Sequence, residues 1–281
     1  MRRLLLYFIL LAGPGMAVAE STPFTIERSE VIKITSKDNV REYQLFVKTP
    51  RSYKSEKNKK YPLVFVNDGP SSFPLVSSIT RQMSSGRVIE EPIIVGISYD
   101  KKTTWRISRT RDYTPTKSLN EKNRHSDQAR EYSGRANEYL LFIETEVMPF
   151  LSREYRIDPD KKVYIGHSLG GLFGGYVLKT NPDLFDYYIM SDPSFWYHNG
   201  SIFRVQSQTS SKQLSVFISS QRAPAANDCT LCMAKNAKKF SDELKSSLPD
   251  ASIEYRVMEN EIHETIQAPT ISQGLLHFFR K

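Results

Sequence analysis

Two kinds of hydrophobic patterning divide the chain. Residues 31–36 and Glu42–Lys48 alternate apolar with polar side chains, as strands with one solvated face do. A Lys- and Ser-rich connection, 50–60, follows. Then the pattern changes. Tyr61–Val66 (Tyr-Pro-Leu-Val-Phe-Val) and 92–97 (Pro-Ile-Ile-Val-Gly-Ile) are nearly continuous apolar runs, which suit strands buried on both faces of a parallel sheet. Residues 72–85 between them can form the crossover helix. Further on, Ala136, Leu140, Ile143 and Val147 recur at helical spacing, with Pro149 near the end. Strand and helix patterns then alternate: a strand at 163–166, a helix at 169–179, strands at 185–191 and 214–220, and an amphipathic helix at 234–248. An alternating strand, Ser252–Met258, and a closing helix at 270–279 complete the series. Strand–helix alternation after an antiparallel start predicts an α/β fold, a mixed and mainly parallel sheet with helices on both faces. Residues 100–135 carry no such pattern and are too long for an ordinary connection, so they are a candidate substrate-binding loop.

The N-terminus lies outside this scheme. Arg2 and Arg3 precede an apolar run over 4–11 and the small-x-small sequence Ala17-Val18-Ala19, the three-part pattern of a secretory signal peptide. Cleavage near Ala19 would send the chain to the periplasm or the medium and leave 20–281 as a single domain. The run is far short of the about 20 residues that span a bilayer, so no stable membrane span is expected. A chain 39% hydrophobic and 25% charged has an ordinary globular composition. The net charge of +8 drops to +6 without Arg2 and Arg3. Between 100 and 135, ten Lys/Arg face five Asp/Glu, a balance that suits an anionic substrate or a merely solvated face. Nucleic-acid binding has no supporting motif. Cys229 and Cys232, in Cys-Thr-Leu-Cys, predict a small local disulfide in an oxidising compartment. They are two ligands short of a zinc site.

The chemistry concentrates in Gly166-His167-Ser168-Leu169-Gly170-Gly171, between a predicted strand and a predicted helix. A Gly-x-Ser-x-Gly run there makes a sharp turn that exposes the serine hydroxyl, so Ser168 is the candidate nucleophile. Side chains at Gly166 and Gly170 are expected to collide with the neighbouring helix and strand. A serine needs a base. Of the five histidines, His263 follows the last strand and precedes the last helix, where the base of such a fold belongs. His125 and His198 lie in loops, His167 should point away from its neighbour Ser168, and His277 falls inside a helix. For the acid, Asp228 is favoured by position and Asp192 is the alternative; a Ser–His dyad without an acid also fits. Oxyanion donors are expected from the Leu169 N–H and from Gly69 or Ser71, since Pro70 between them has no N–H.

These motifs together resemble the putative-esterase branch of the α/β-hydrolases. The likeness rests on 61–69 (Tyr-Pro-Leu-Val-Phe-Val-Asn-Asp-Gly), Arg-Asp-Tyr-Thr-Pro (111–115), Gly-His-Ser-Leu-Gly-Gly (166–171), Asp-Pro-Ser-Phe-Trp-Tyr (192–197) and the His263 region. The second and fourth are most similar to the periplasmic trilactone siderophore esterases; esterase D-like enzymes and mycolyltransferases share the branch. The resemblance implies an α/β-hydrolase fold, a Ser168 acyl-enzyme with His263 as base, a carboxylic ester as substrate, and no metal or organic cofactor. Arg106, Arg109, Arg111 and Arg124 would suit an anionic or catecholate ester. Three positions depart from the branch: Ser219-Ser220-Gln221-Arg222 where relatives carry Gly and then Glu, Pro70 after Asp68-Gly69, and Glu264 after the base. An acyltransferase using the same residues, or a binding protein on this fold, are the rival readings.

Overall fold

The computed structural model describes residues 21–38, 40–119, 127–222 and 232–279. The expected signal peptide, together with Arg124, His125, Asp228 and Cys229, therefore lies outside the described residues. Among the described residues, eight strands form one sheet in the order β1-β2-β4-β3-β5-β6-β7-β8. β1 (Ser29–Thr35) and β2 (Glu42–Lys48) pair antiparallel, and β2 pairs antiparallel with β4 (Ile93–Ile97). From β4 onward every pairing is parallel: β3 (Tyr61–Val66), β5 (Ile157–His167), β6 (Tyr187–Ser191), β7 (Ser215–Gln221) and β8 (Ser252–Met258). This is the mixed, mainly parallel sheet expected from the patterning.

The period of two along β3 sorts its side chains between two cores. Leu63 and Phe65 join one apolar cluster, and Val64 and Val66 join the other. Helices α1 (Gly69–Ser85) and α9 (Gln267–Phe279) cover the second cluster, through Phe73, Val76, Ile271 and Leu275. The first cluster lies under α4 (Ala136–Phe142), α6 (Leu169–Thr180) and α8 (Met233–Ser247). A π-helical turn over residues 143–147 joins α4 to α5 (Met148–Glu154), so the helical run continues past Pro149 instead of ending there. Pro149 occupies the first turn of α5, where a missing N–H costs little.

The stretch 100–135 is not the open loop its composition suggested. It contains α2 (Trp105–Tyr113) and the short α3 (Asp127–Glu131). Thr104 caps α2, its hydroxyl accepting from the Ile107 N–H at 3.3 Å. The inner face of α2 is polar. Arg111 is buried and donates to Asp112 at 2.7 and 3.0 Å, to Asp100 at 3.1 Å and to the Tyr43 hydroxyl at 3.1 Å. Asp112 also accepts from Tyr43 and from Ser108, each at 2.9 Å. Arg111, expected to bind substrate, makes four hydrogen bonds to internal acceptors, three of them to the carboxylates of Asp100 and Asp112. The helix was missed because charge pairing, rather than an apolar stripe, anchors it.

Connections at the carboxyl ends of the parallel strands gather at one edge of the sheet, where open α/β sheets place their sites. They carry Asp68 after β3, Ser168 after β5, Asp192 after β6, Gln221 ending β7 and His263 after β8. A single helical turn, α7 (Tyr197–Gly200), follows Asp192 on the same side. Among the described residues no helix is long and apolar enough to cross a membrane.

Candidate active site

Ser168 sits between β5 and α6 with φ 58° and ψ −117°. A non-glycine residue rarely adopts this backbone, and the local sequence accounts for how it does so here. A Cβ on Gly166 would lie 2.3 Å from the Gly170 carbonyl oxygen, so the strand must end in glycine for the helix to start so close. The same expectation fails for Gly170, whose Cβ would meet nothing nearer than 3.5 Å. The second tight glycine is Gly171, where a Cβ would approach Pro193 at 2.9 Å. The turn is also pinned from outside. The Ser168 N–H donates to the Ser191 carbonyl and the Ser194 N–H to the Ser168 carbonyl, both at 3.0 Å. The Ser168 hydroxyl hydrogen bonds to that of Ser194 at 3.2 Å.

His263 Nδ1 donates to Asp192 Oδ2 at 2.7 Å. That bond leaves Nε2 as the free, accepting nitrogen of a neutral ring. Asp192 is fully buried, with a left-handed φ of 42° that turns its carboxylate under the histidine. It also accepts from Gln221, from the backbone N–H at 3.3 Å and from Nε2 at 3.2 Å. Asp192 was the alternative to Asp228, and the fold shows what favours it: β6 stops next to β5, so the residue after it lies beside the nucleophile turn. The imidazole of His167 packs on that of His263, ring centres 4.6 Å apart. Its Nδ1 donates to the Ser191 carbonyl at 3.2 Å. Burial first, and then the neighbouring His263 and Arg109, push the His167 pKa down to about 3, so this ring is neutral. His198 is engaged with Thr116 at 2.8 Å and His277 with Glu254 at 2.8 Å.

The far wall comes from the turn after β3. Gly69 and Leu169 each open a helix, so their N–H groups have no acceptor within it. Ser71, the alternative to Gly69, spends its N–H on the Asp68 carbonyl at 3.0 Å. The two turns touch: a Cβ on Gly170 would lie 3.5 Å from Asp68 Oδ2. Asp68 binds Arg109 through both oxygens, at 2.8 and 3.0 Å, and accepts from the Tyr99 hydroxyl at 2.8 Å. Arg109 donates onward to the His167 carbonyl at 3.2 Å. Burial works against the Arg109 charge, but Asp68 more than offsets it and the pKa is raised. Arg109, expected to hold substrate, thus braces the turn beneath Ser168. Arg106 stacks on Trp105, 4.5 Å from the ring centre. Among the described residues no group of three or more His, Cys, Asp or Glu is arranged to hold a metal ion. Cys232 is disulfide-bonded.

Sequence reasoning missed Ser194 and Gln221. Ser194 lies in the Asp-Pro-Ser-Phe-Trp stretch, and its proximity to Asp192 was the available signal. Gln221 was visible only as a departure.

Comparison with known proteins follows the geometry. The ferri-bacillibactin esterase BesA of Bacillus subtilis is 32% identical over 190 residues, 66% of this chain and 64% of that protein. The match thus spans just under two thirds of that relative's length. The siderophore triacetylfusarinine C esterase of Aspergillus fumigatus is 26% identical, covering 92% of this chain and 95% of its own. The crystal structure of the BES protein from Bacillus cereus superposes with a TM-score of 0.78 at 23% identity, over 94% of this chain and 100% of that one. This last likeness is one of fold. Residues 36–279 match the family described as putative esterase, nearly the whole of the described chain, and the protein belongs to that family of α/β-hydrolases.

Proposed function

We propose that this protein hydrolyses a carboxylic ester through an acyl-enzyme on Ser168, with His263 as general base and Asp192 orienting it. The observation that carries the reading is the 2.7 Å bond from His263 Nδ1 to a buried Asp192 at the nucleophile turn. It fixes the tautomer a base needs. Rotation of the Ser168 hydroxyl from Ser194 toward His263 Nε2 prepares the attack. Oγ then bonds to the ester carbon, its proton passes to Nε2, and the carbonyl electrons move onto oxygen. The N–H groups of Leu169 and Gly69 serve that oxyanion. Collapse breaks the bond to the alkoxy oxygen, which leaves as the alcohol with the proton from Nε2. Water repeats the sequence on the acyl-enzyme, yielding the acid and free Ser168.

For substrate we favour a siderophore-type ester, since the named relatives act on ferri-bacillibactin and triacetylfusarinine C. Arg109 and Arg111 no longer argue for an anionic substrate, because both are spent on internal carboxylates. The test is reaction with a fluorophosphonate probe and turnover of a chromogenic short-chain ester. Wild type is expected to label at Ser168 and to turn over. Ser168→Ala should lose labelling and fall at least about a thousandfold in kcat. Full activity in Ser168→Ala would refute the mechanism.

A further inference from the structure

Gln221 ends β7, and its side-chain amide donates to Asp192 Oδ2 at 3.2 Å. Asp192 is fully buried, and a buried carboxylate is tolerated only where donors meet it. Its described donors are His263 Nδ1, the Gln221 backbone N–H and Gln221 Nε2. The two Gln221 bonds are made from one residue, one to each oxygen, so they fix the tilt of the carboxylate plane. That plane decides whether Oδ2 points at His263.

We propose that Gln221 is a positioning residue: its side-chain amide holds Asp192 against His263. The inference rests on the Ser168–His263–Asp192 reading. A glutamate at 221 would bring a second carboxylate to a site already occupied by Asp192. Glutamine is nearly the same shape and supplies a donor where glutamate would supply a charge.

The surroundings are consistent. Within β7 itself, the Ser219 hydroxyl bonds to Thr270 at 2.6 Å and the Ser220 hydroxyl to Tyr255 at 2.6 Å. These contacts hold the end of β7 without using Asp192. Removal of the Gln221 amide should therefore loosen the carboxylate and leave the strand in place.

The experiment uses Gln221→Leu, Gln221→Glu, Asp192→Asn and the double variant Asp192→Asn/Gln221→Leu, assayed for kcat and KM across pH on a short-chain ester. Gln221→Leu should lower kcat roughly tenfold with KM unchanged, as expected for one hydrogen bond to a charged group. In the Asp192→Asn background the same change should have no further effect, because it acts through that carboxylate. Gln221→Glu can donate to Asp192 only while protonated, so its activity should fall on the alkaline side where wild type stays level. An equal loss from Gln221→Leu in both backgrounds, or a Gln221→Glu pH profile superimposable on wild type, overturns the proposal. Full activity in Asp192→Asn overturns the triad reading instead.

Discussion

Glycines around Ser168 differ sharply in what they do, and the difference is measurable. Gly166 has no room for a methyl group, with backbone oxygen 2.3 Å from where it would sit. Gly166→Ala should therefore cost about 2 kcal/mol or more of unfolding free energy, within the range of overpacked sites. Gly170 has ordinary space and lies in the first turn of α6, so Gly170→Ala should leave stability unchanged or raise it by up to about 1 kcal/mol. Urea midpoints of the two variants decide it, and equal losses would mean that the turn is not as tight as drawn. At this scale much was legible. The proposed nucleophile and base follow from a motif, its context and chain order. The acid was harder, because Asp228 and Asp192 are both loop aspartates in sequence; the choice depends on which strand end lies beside β5, a fact of topology. Gln221 could be noticed as an oddity but not explained before Asp192 was placed.

At the scale of elements, α2 shows where patterning stops working. Hydrophobic periodicity finds a helix by its apolar face, and the buried positions of α2 include Ser108, Thr110, Arg111 and Asp112. Ser108 and Arg111 meet Asp112 within the helix, and Arg111 also reaches Asp100 and Tyr43 from outside it. Composition alone read the same arginines as a surface for an anionic ligand. The two roles predict different outcomes. Arg111→Met would take the guanidinium from buried Asp100 and leave buried Asp112 only Arg41, 3.9 Å away, a loss of about 3–5 kcal/mol in denaturant unfolding. Arg111→Lys keeps a charge and should fold, and its preference for an anionic over a neutral ester of the same alcohol should match wild type. A tenfold drop in that preference would restore Arg111 as a substrate ligand. β3 and β4, by contrast, were readable almost to the residue, since burial on both faces leaves an unbroken apolar run, whereas β5 starts at Ile157, six residues before the expected strand at 163–166, because its first half is polar.

On the scale of the whole molecule, one edge of the sheet collects groups whose protonation matters, and His167 links them to stability. Its ring lies against His263, its own carbonyl accepts from Arg109, and its Nδ1 reaches the Ser191 carbonyl at the end of β6. In the folded chain its pKa is pushed from 6.5 down to about 3. Between those values the unfolded chain takes up a proton that the folded chain refuses. Stability from this group is therefore complete above about pH 6.5 and drains away as pH falls toward 3, with a slope of up to about 1.4 kcal/mol per pH unit. His167→Gln removes the titrating ring and should flatten that slope. The comparison is between unfolding free energies of wild type and variant at several pH values from 7 to 4. A constant difference across that range would mean that the His167 ring reaches water and charges freely. A difference that shrinks on acidification, with the variant becoming relatively more stable, is what a neutral imidazole packed between the Ser168 turn and His263 requires.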